Sequence, residues 1–162
     1  MILLLSILSS SAWALNGNNW TGSAPPSTFS GAPANPAATT SSTLVMMGLG
    51  GVSTITPVTS GVVMVTICGD SSNATVNDGV KTQIVVGTGT APVNGAAIVG
   101  TAISGVVTTS GGAASALVPV CQVGLGTNLT IGSAYWIDAA LAVNGGGTAA
   151  LSNLTIIAYE LP

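Results

Sequence analysis

The stretch Ser133-Ala134-Tyr135-Trp136-Ile137-Asp138-Ala139-Ala140-Leu141-Ala142-Val143 carries the strongest strand signal in the chain. Successive side chains of an extended segment point to opposite faces, so the stretch divides into two sets. The larger apolar set is predicted to face the core: Tyr135, Ile137, Ala139, Leu141 and Val143. The opposite face carries Trp136, Asp138, Ala140 and Ala142. Glycines at 132 and at 145–147 are turn signals that bound the strand.

The last stretch of the chain, Ser152 to Leu161, alternates in the same way, with Leu154, Ile156, Ala158 and Glu160 on one face. A glycine-rich connection, Asn144 to Gly147, joins it to the first stretch. A short connection of this kind is typical of a β-hairpin. We therefore predict that the two stretches pair with each other as antiparallel neighbours.

Short apolar runs separated by turn residues recur from Thr43 to the end of the chain. There are eight of them: 44–48, 52–56, 62–68, 80–87, 103–108, 116–123, 134–143 and 151–161. No window combines apolar residues at a 3.6-residue period with helix-capping residues. The spacing predicts an all-β sandwich or barrel over residues 43–162.

Charged residues are scarce. The 162 residues include one Lys, no Arg, no His and four acidic residues, so 3% are charged, whereas about 25% is ordinary for a soluble domain. A surface with so little charge has little repulsion to keep copies apart. We therefore expect a permanent homo-oligomer. The alternative is a Thr, Ser and Asn surface that stays hydrated without charge.

The same composition argues against several functions. Binding of nucleic acid relies on Lys and Arg at the phosphates, and Lys81 alone cannot supply it. Without His, and with scattered carboxylates, no close group of metal ligands is visible. General acid–base and nucleophilic catalysis also lack their usual residues. We predict no catalytic residue, no metal site, no cofactor and no enzymatic activity.

The two cysteines, Cys68 and Cys121, each lie in an apolar run. One pair does not make a disulfide framework, so we expect two free, buried thiols that act as small hydrophobic side chains. The alternative is a disulfide between two neighbouring strands.

Residues 1–42 differ in composition from the rest and are predicted to form an extended docking arm with a short apolar tip, Ile2 to Leu8. Prolines interrupt any regular ladder there, and the tip is too short to span a membrane. Trp13, Trp20 and Phe29 are its large anchors, expected to fill pockets on a partner. Ala12-Trp13-Ala14 also has the pattern of a signal-peptide cleavage site, so a cleaved leader is the alternative.

Three segments carry a resemblance to known proteins: Leu44-Val45-Met46-Met47-Gly48-Leu49-Gly50, Val85 to Ala97 (Val-Val-Gly-Thr-Gly-Thr-Ala-Pro-Val-Asn-Gly-Ala-Ala) and Gly132 to Asp138. In these segments the chain resembles a set of bacteriophage virion proteins, over about 120 residues from Thr43 to the end. The resemblance implies a jelly-roll-like antiparallel β-sandwich. It also implies a module that decorates capsids or tips fibres, commonly as a trimer.

The resulting expectation is a capsid decoration (cement) protein on the virion surface. It would be a homotrimer that binds the major capsid protein and stabilises the phage head by bridging neighbouring capsomers. One alternative is a receptor-binding or fibre-tip module of a phage tail. The other is a secreted bacterial surface or adhesin subunit with a cleaved signal peptide.

Overall fold

β-Strands make up nearly all the regular structure of residues 25–162, the part of the chain that the structure, a computed structural model, describes. One 3₁₀ turn, Leu49–Gly51, interrupts them, and this part of the chain has no α-helix. The ten strands are β1 (Thr28–Gly31), β2 (Val45–Met46), β3 (Thr54–Ile55), β4 (Val63–Asn73), β5 (Gly79–Gly87), β6 (Thr101–Ala102), β7 (Val107–Ser110), β8 (Val118–Gly126), β9 (Tyr135–Val143) and β10 (Ala149–Glu160).

The strands form two antiparallel sheets. The first has the order β1-β10-β4-β8. In the second, β9 pairs with β5, the short strands β2 and β3 both pair with β9, and β6 and β7 both pair with β5. If each short pair is counted as one interrupted edge strand, the sandwich has eight strands in jelly-roll order, with the first strand beside the last. The predicted fold class, an all-β jelly-roll-like sandwich, is confirmed.

The core lies between the two sheets, and β9 supplies its centre. Ile137 and Leu141 are fully buried there, and Ala139 and Val143 lie in the same cluster. Tyr135, the first residue of the strand, is half-buried and packs at the margin of this cluster.

The second face of β9 is buried as well, because the connection between β5 and β6 folds back over it. Trp136 and Ala140 form a second apolar cluster with Met46 and Val85. The backbone of Met46 holds the connection in place: its N–H donates to the Ala96 carbonyl at 2.9 Å, and its carbonyl accepts from Gly95 at 2.8 Å. The strand is therefore enclosed on both sides.

The predicted hairpin between the last two strands is wrong. β9 pairs with β5, β2 and β3, whereas β10 lies in the other sheet between β1 and β4. The glycine-rich connection crosses from one sheet to the other instead of turning back within one. Both strands direct their larger apolar faces to the same core, but they do so from opposite sides of it.

The sandwich begins earlier than residue 43. Thr28–Gly31 forms β1 and pairs with β10, and Thr39 bridges Ala149. Phe29, predicted to be a docking anchor, packs against the core of its own domain, so its burial needs no partner. Trp13, Trp20 and the apolar tip lie outside the described residues.

The expectation of two free, buried thiols is also wrong. Cys68 on β4 and Cys121 on β8 are directly opposite each other, with Cα atoms 4.0 Å apart, and form a disulfide. Neither is buried: Cys68 is half-buried and Cys121 is exposed. The alternation of the strands explains this, since Ile67 and Val120, one residue earlier in each strand, are the ones that face the core.

Candidate interaction surface

The surface of the domain carries even less charge than the sequence suggests. All five charged residues of the chain fall within the described part. Two of the four carboxylates, Asp138 and Glu160, are buried. Only Asp70, Asp78 and Lys81 remain in contact with solvent, and each of them is half-buried.

Glu160, at the end of β10, is enclosed by backbone N–H groups. Its Oε1 accepts from Thr59 at 2.8 Å, Ser60 at 2.7 Å and Gly61 at 3.1 Å. Its Oε2 accepts from Val58 at 2.9 Å and Ser27 at 3.3 Å. Burial opposes ionisation of this carboxyl, but the hydrogen bonds from Val58, Thr59, Gly61 and Ser60 outweigh it and lower the pKa of Glu160 well below its usual value. The carboxylate thereby fixes the loop before β4.

Asp138, in the middle of β9, holds the 3₁₀ turn. It accepts N–H bonds from Gly48 at 3.0 Å, Leu49 at 3.1 Å and its neighbour Ala139 at 2.8 Å. Burial is the larger influence here, and it raises the pKa of Asp138 to about 6 despite these bonds. Asp138 lies on the second face of β9, and no role was predicted for that face from the sequence.

Asp78 joins two turns at one end of the sandwich. It accepts from its own neighbour Gly79 at 2.7 Å, from Gly145 at 2.9 Å and from Gly146. The Gly79 and Gly146 hydrogen bonds lower the pKa of Asp78 below its usual value. Three of the four carboxylates are thus used to hold loops, and no cluster of three metal-ligating side chains occurs in residues 25–162.

The most distinctive surface is the outer side of the β1-β10-β4-β8 sheet, which we call the open face. Its side chains lie in rows across the strands, as the register of the pairs shows. They alternate with residues that face the core. The open face consists of Thr28, Ser30, Met64, Thr66, Cys68, Cys121, Val123, Leu125, Thr155, Ile157 and Tyr159.

Apolar side chains of the open face are accessible to solvent. The exposed fractions are 55% for Val123, 48% for Leu125 and 43% for Ile157. Tyr159 and Met64 are half-buried neighbours, and the tyrosine hydroxyl donates to the Met64 sulfur at 3.7 Å. The Cys68–Cys121 disulfide lies two rows further along the same strands. None of the residues that form the open face is charged.

One charged residue borders the open face. Asp70 follows Cys68 on the same side of β4, and its Oδ2 accepts from the Asn153 side-chain amide at 2.8 Å. The border is therefore negative at one end only, and that charge already has a hydrogen-bond partner.

A groove on the other sheet is the second surface feature. It has a volume of ≈ 440 Å³ and lies between the β5–β6 connection and the start of β9; among its lining residues are Thr88, Thr90, Thr101, Tyr135 and Trp136. The Trp136 indole donates to the Thr88 carbonyl at 3.2 Å, and the Tyr135 hydroxyl accepts from the Thr130 N–H at 2.9 Å. The polar atoms of both aromatic side chains are thus engaged within the domain.

Sequence reasoning proposed docking residues in the N-terminal segment and missed the open face. A signal for it exists in β8, where the usual pattern is reversed. After Val120, the core-facing positions hold Gln122, Gly124 and Gly126, while the solvent-facing positions hold Val123 and Leu125. Ile103 packs close over Gly124 and fills the space that its missing side chain leaves. A strand that turns its larger apolar residues outward indicates a second buried surface.

Comparisons with known proteins add little to this description. No protein family and no curated protein matches the chain. Solved structures do match, among them a structure of Eiger TNF from S. frugiperda, with 10% identity over 85% of this chain and 92% of that chain and a TM-score of 0.45. The fold assignment therefore rests on the strand order of the chain itself. Within residues 25–162, no helix is long and apolar enough to cross a membrane.

Proposed function

We propose that this protein is a virion structural protein, a capsid decoration (cement) protein that assembles as a homotrimer and binds the major capsid protein at the capsid surface. The observation that carries the proposal is the nearly uncharged surface of the domain. Three charged side chains reach solvent, and the other two are buried and accept hydrogen bonds from backbone N–H groups. A surface of this kind favours permanent contact with protein over a free existence in water.

The mechanism is thermodynamic. A subunit that contacts neighbouring capsomers adds buried interface to the assembled shell only, so its binding free energy stabilises the shell by mass action. The sandwich supplies a rigid body, because its loops are held by buried or hydrogen-bonded carboxylates. Residues 1–24, with the apolar run Ile2 to Leu8 and with Trp13 and Trp20, supply the attachment to the capsid.

Co-sedimentation with virions of the source phage tests the proposal. The full chain is expected to sediment with the particles, and a chain that begins at Pro25 is expected to fold and remain in the supernatant. The cut falls before β1, because removal of residues 1–42 would also delete a strand of the sheet. Equal sedimentation of both chains would refute the role of residues 1–24, and failure of the full chain to bind would refute the decoration function.

One observation favours a second candidate, a secreted bacterial surface subunit. Structural disulfides form and persist mainly in oxidising compartments, and Cys68 and Cys121 are joined by one. Ala12-Trp13-Ala14 would then be a cleavage site. Mass spectrometry of the chain from its native source separates the two candidates. Loss of the first 14 residues supports secretion, and an intact N-terminus supports the decoration protein.

A further inference from the structure

We propose that the open face of the β1-β10-β4-β8 sheet is a contact surface for a second copy of this chain. The inference rests on the proposed function, because it assumes that the chain assembles, and it deepens that function by naming the surface through which copies meet.

The side-chain pattern shows that the open face resembles an interior. Val123 and Leu125 point outward from β8, whereas the core-facing positions from residue 122 onward hold glutamine and glycine. Met64 on the adjacent strand β4 lies beside Leu125 and extends the apolar surface to Tyr159 on β10, where Ile157 adds a further exposed apolar side chain. Exposed apolar area that is continuous across neighbouring strands marks interaction sites in soluble proteins.

The outer side of the sheet is smaller than a standard protein contact, but it is large enough to form the central part of one. The strands β10, β4 and β8, about 4.8 Å apart, make a strip about 14 Å wide and, over nine paired positions at about 3.3 Å each, about 30 Å long, and β1 adds four positions at one edge. The flat outer side of the sheet, with the row of Asp70 included, therefore measures roughly 500 Å² before the relief of the side chains is added. A standard protein contact buries about 800 Å² on each partner.

The charge distribution favours a copy of the same chain as the occupant. Like charges in contact weaken binding by several kcal/mol, and three charged side chains reach solvent on the whole described domain, so a second copy presents almost no charge to any face that it meets. The open face has no charged residue, and bordering Asp70 is already hydrogen-bonded to Asn153. A strongly charged partner would find no opposite charge there.

Rigidity lowers the entropic cost of the contact. The disulfide between Cys68 and Cys121 joins β8, which carries the exposed Val123 and Leu125, to its neighbour β4. Because this face is held in one conformation before binding, less conformational entropy is lost on association. Packing of open face on open face gives a two-fold dimer, and packing of the open face on a different surface of the next copy gives a closed ring such as a trimer.

A single lysine in the open face tests the proposal. Val123→Lys places a charge on β8, at the most exposed apolar side chain of the open face, and at least a 100-fold weaker self-association is expected (about 3 kcal/mol). Sedimentation equilibrium of the full chain, compared with wild type at equal concentration, measures it. Val93→Lys and Val52→Lys are matched controls, because these valines are 73% and 67% exposed and lie in connections next to the other sheet. Neither control should change the mass.

Circular dichroism verifies that Val123→Lys is folded, and Leu125→Ser replaces it if it is not. A monomeric wild type, or a Val123→Lys protein with unchanged self-association, overturns the inference. So does an oligomer that is lost only on removal of residues 1–24, since that segment would then form the contact. A monomer that still binds virions refutes the inference alone, and an oligomer that dissociates with Val123→Lys but never binds virions refutes the decoration function alone.

Discussion

Replacement of Glu160 by glutamine is the sharpest test of how the domain holds itself together. The carboxylate accepts five backbone N–H bonds, three on Oε1 and two on Oε2. A glutamine amide has one acceptor oxygen and one NH₂ group, and the NH₂ group cannot accept. Whichever way the amide turns, the NH₂ group faces at least two backbone donors, and these lose their partner.

The magnitude follows from that count. A buried donor left without a partner costs about 1–3 kcal/mol, so Glu160→Gln should lower the free energy of unfolding by about 2–6 kcal/mol at pH 7. Since domains of this size are stable by about 5–15 kcal/mol, the loss is a large part of the total. Urea unfolding followed by tryptophan fluorescence measures it. Asp70→Asn is the control, because that half-buried carboxylate has one hydrogen bond, and a change within about 0.5 kcal/mol is expected.

The pH dependence provides an independent check. The folded state lowers the pKa of Glu160 from 4.5, so the stabilisation is complete above pH 4.5 and is lost as the pH falls below that value. The difference between wild type and Glu160→Gln should therefore shrink in acid. A loss below about 1 kcal/mol at pH 7, or a difference that stays constant down to pH 3, would refute the role assigned to this carboxylate.

Three further predictions concern other parts of the sandwich. Burial raises the pKa of Asp138 from 3.8 to about 6, so part of the free energy of unfolding of the wild type should be lost as the pH rises from about 4 to 6. Asp138→Asn should remove this pH dependence; urea unfolding at several pH values measures it, and a variant with the same pH profile as wild type would contradict the prediction. The disulfide closes a long loop, with a sequence separation of 53 between its cysteines, so its reduction should lower the free energy of unfolding by about 4 kcal/mol through the entropy of the unfolded chain. An equal melting temperature with and without reductant would argue against this. Gly87→Ala should destabilise the fold by about 1–3 kcal/mol, because a Cβ there would overlap the Trp136 indole, whereas Gly112→Ala, where nothing is near, should not; calorimetry compares the two.

Alternation along each strand could be predicted from the sequence, because it depends only on neighbouring residues. The core faces of the last two strands, with Ile137 and Ile156 buried, follow that pattern. Pairing could not be predicted in this way: the same alternation fits a hairpin and a crossing between sheets, and only contacts between distant residues distinguish them. The sequence therefore suggested the wrong neighbour for β10.

The interaction surface was harder to predict for a related reason. Cysteine in an apolar run reads as a buried residue, and only the register of β4 and β8 shows that Cys68 and Cys121 share the outer side. Alternation places Glu160 on the same side of its strand as Ile156, but it does not show what allows a carboxylate to lie there: loops distant in sequence bring N–H groups to Asp138 and Glu160. Phe29 gave the opposite error, since β1 joins the sheet and brings it to the core.

The pairing of the first strand with the last has a mechanical consequence. Thr28 lies opposite Tyr159, so the chain enters and leaves the sheet at the same end of one antiparallel pair, near Pro25 and Pro162. A tension applied between these two ends would load the hydrogen bonds of β1 and β10 one at a time, because in an antiparallel pair they lie perpendicular to the strands. The pair would peel open from that end and withdraw Phe29 from the core, at a much lower force than shearing two strands along their length requires. Tension between these two ends is thus carried by a few hydrogen bonds in succession, and the sandwich resists it weakly.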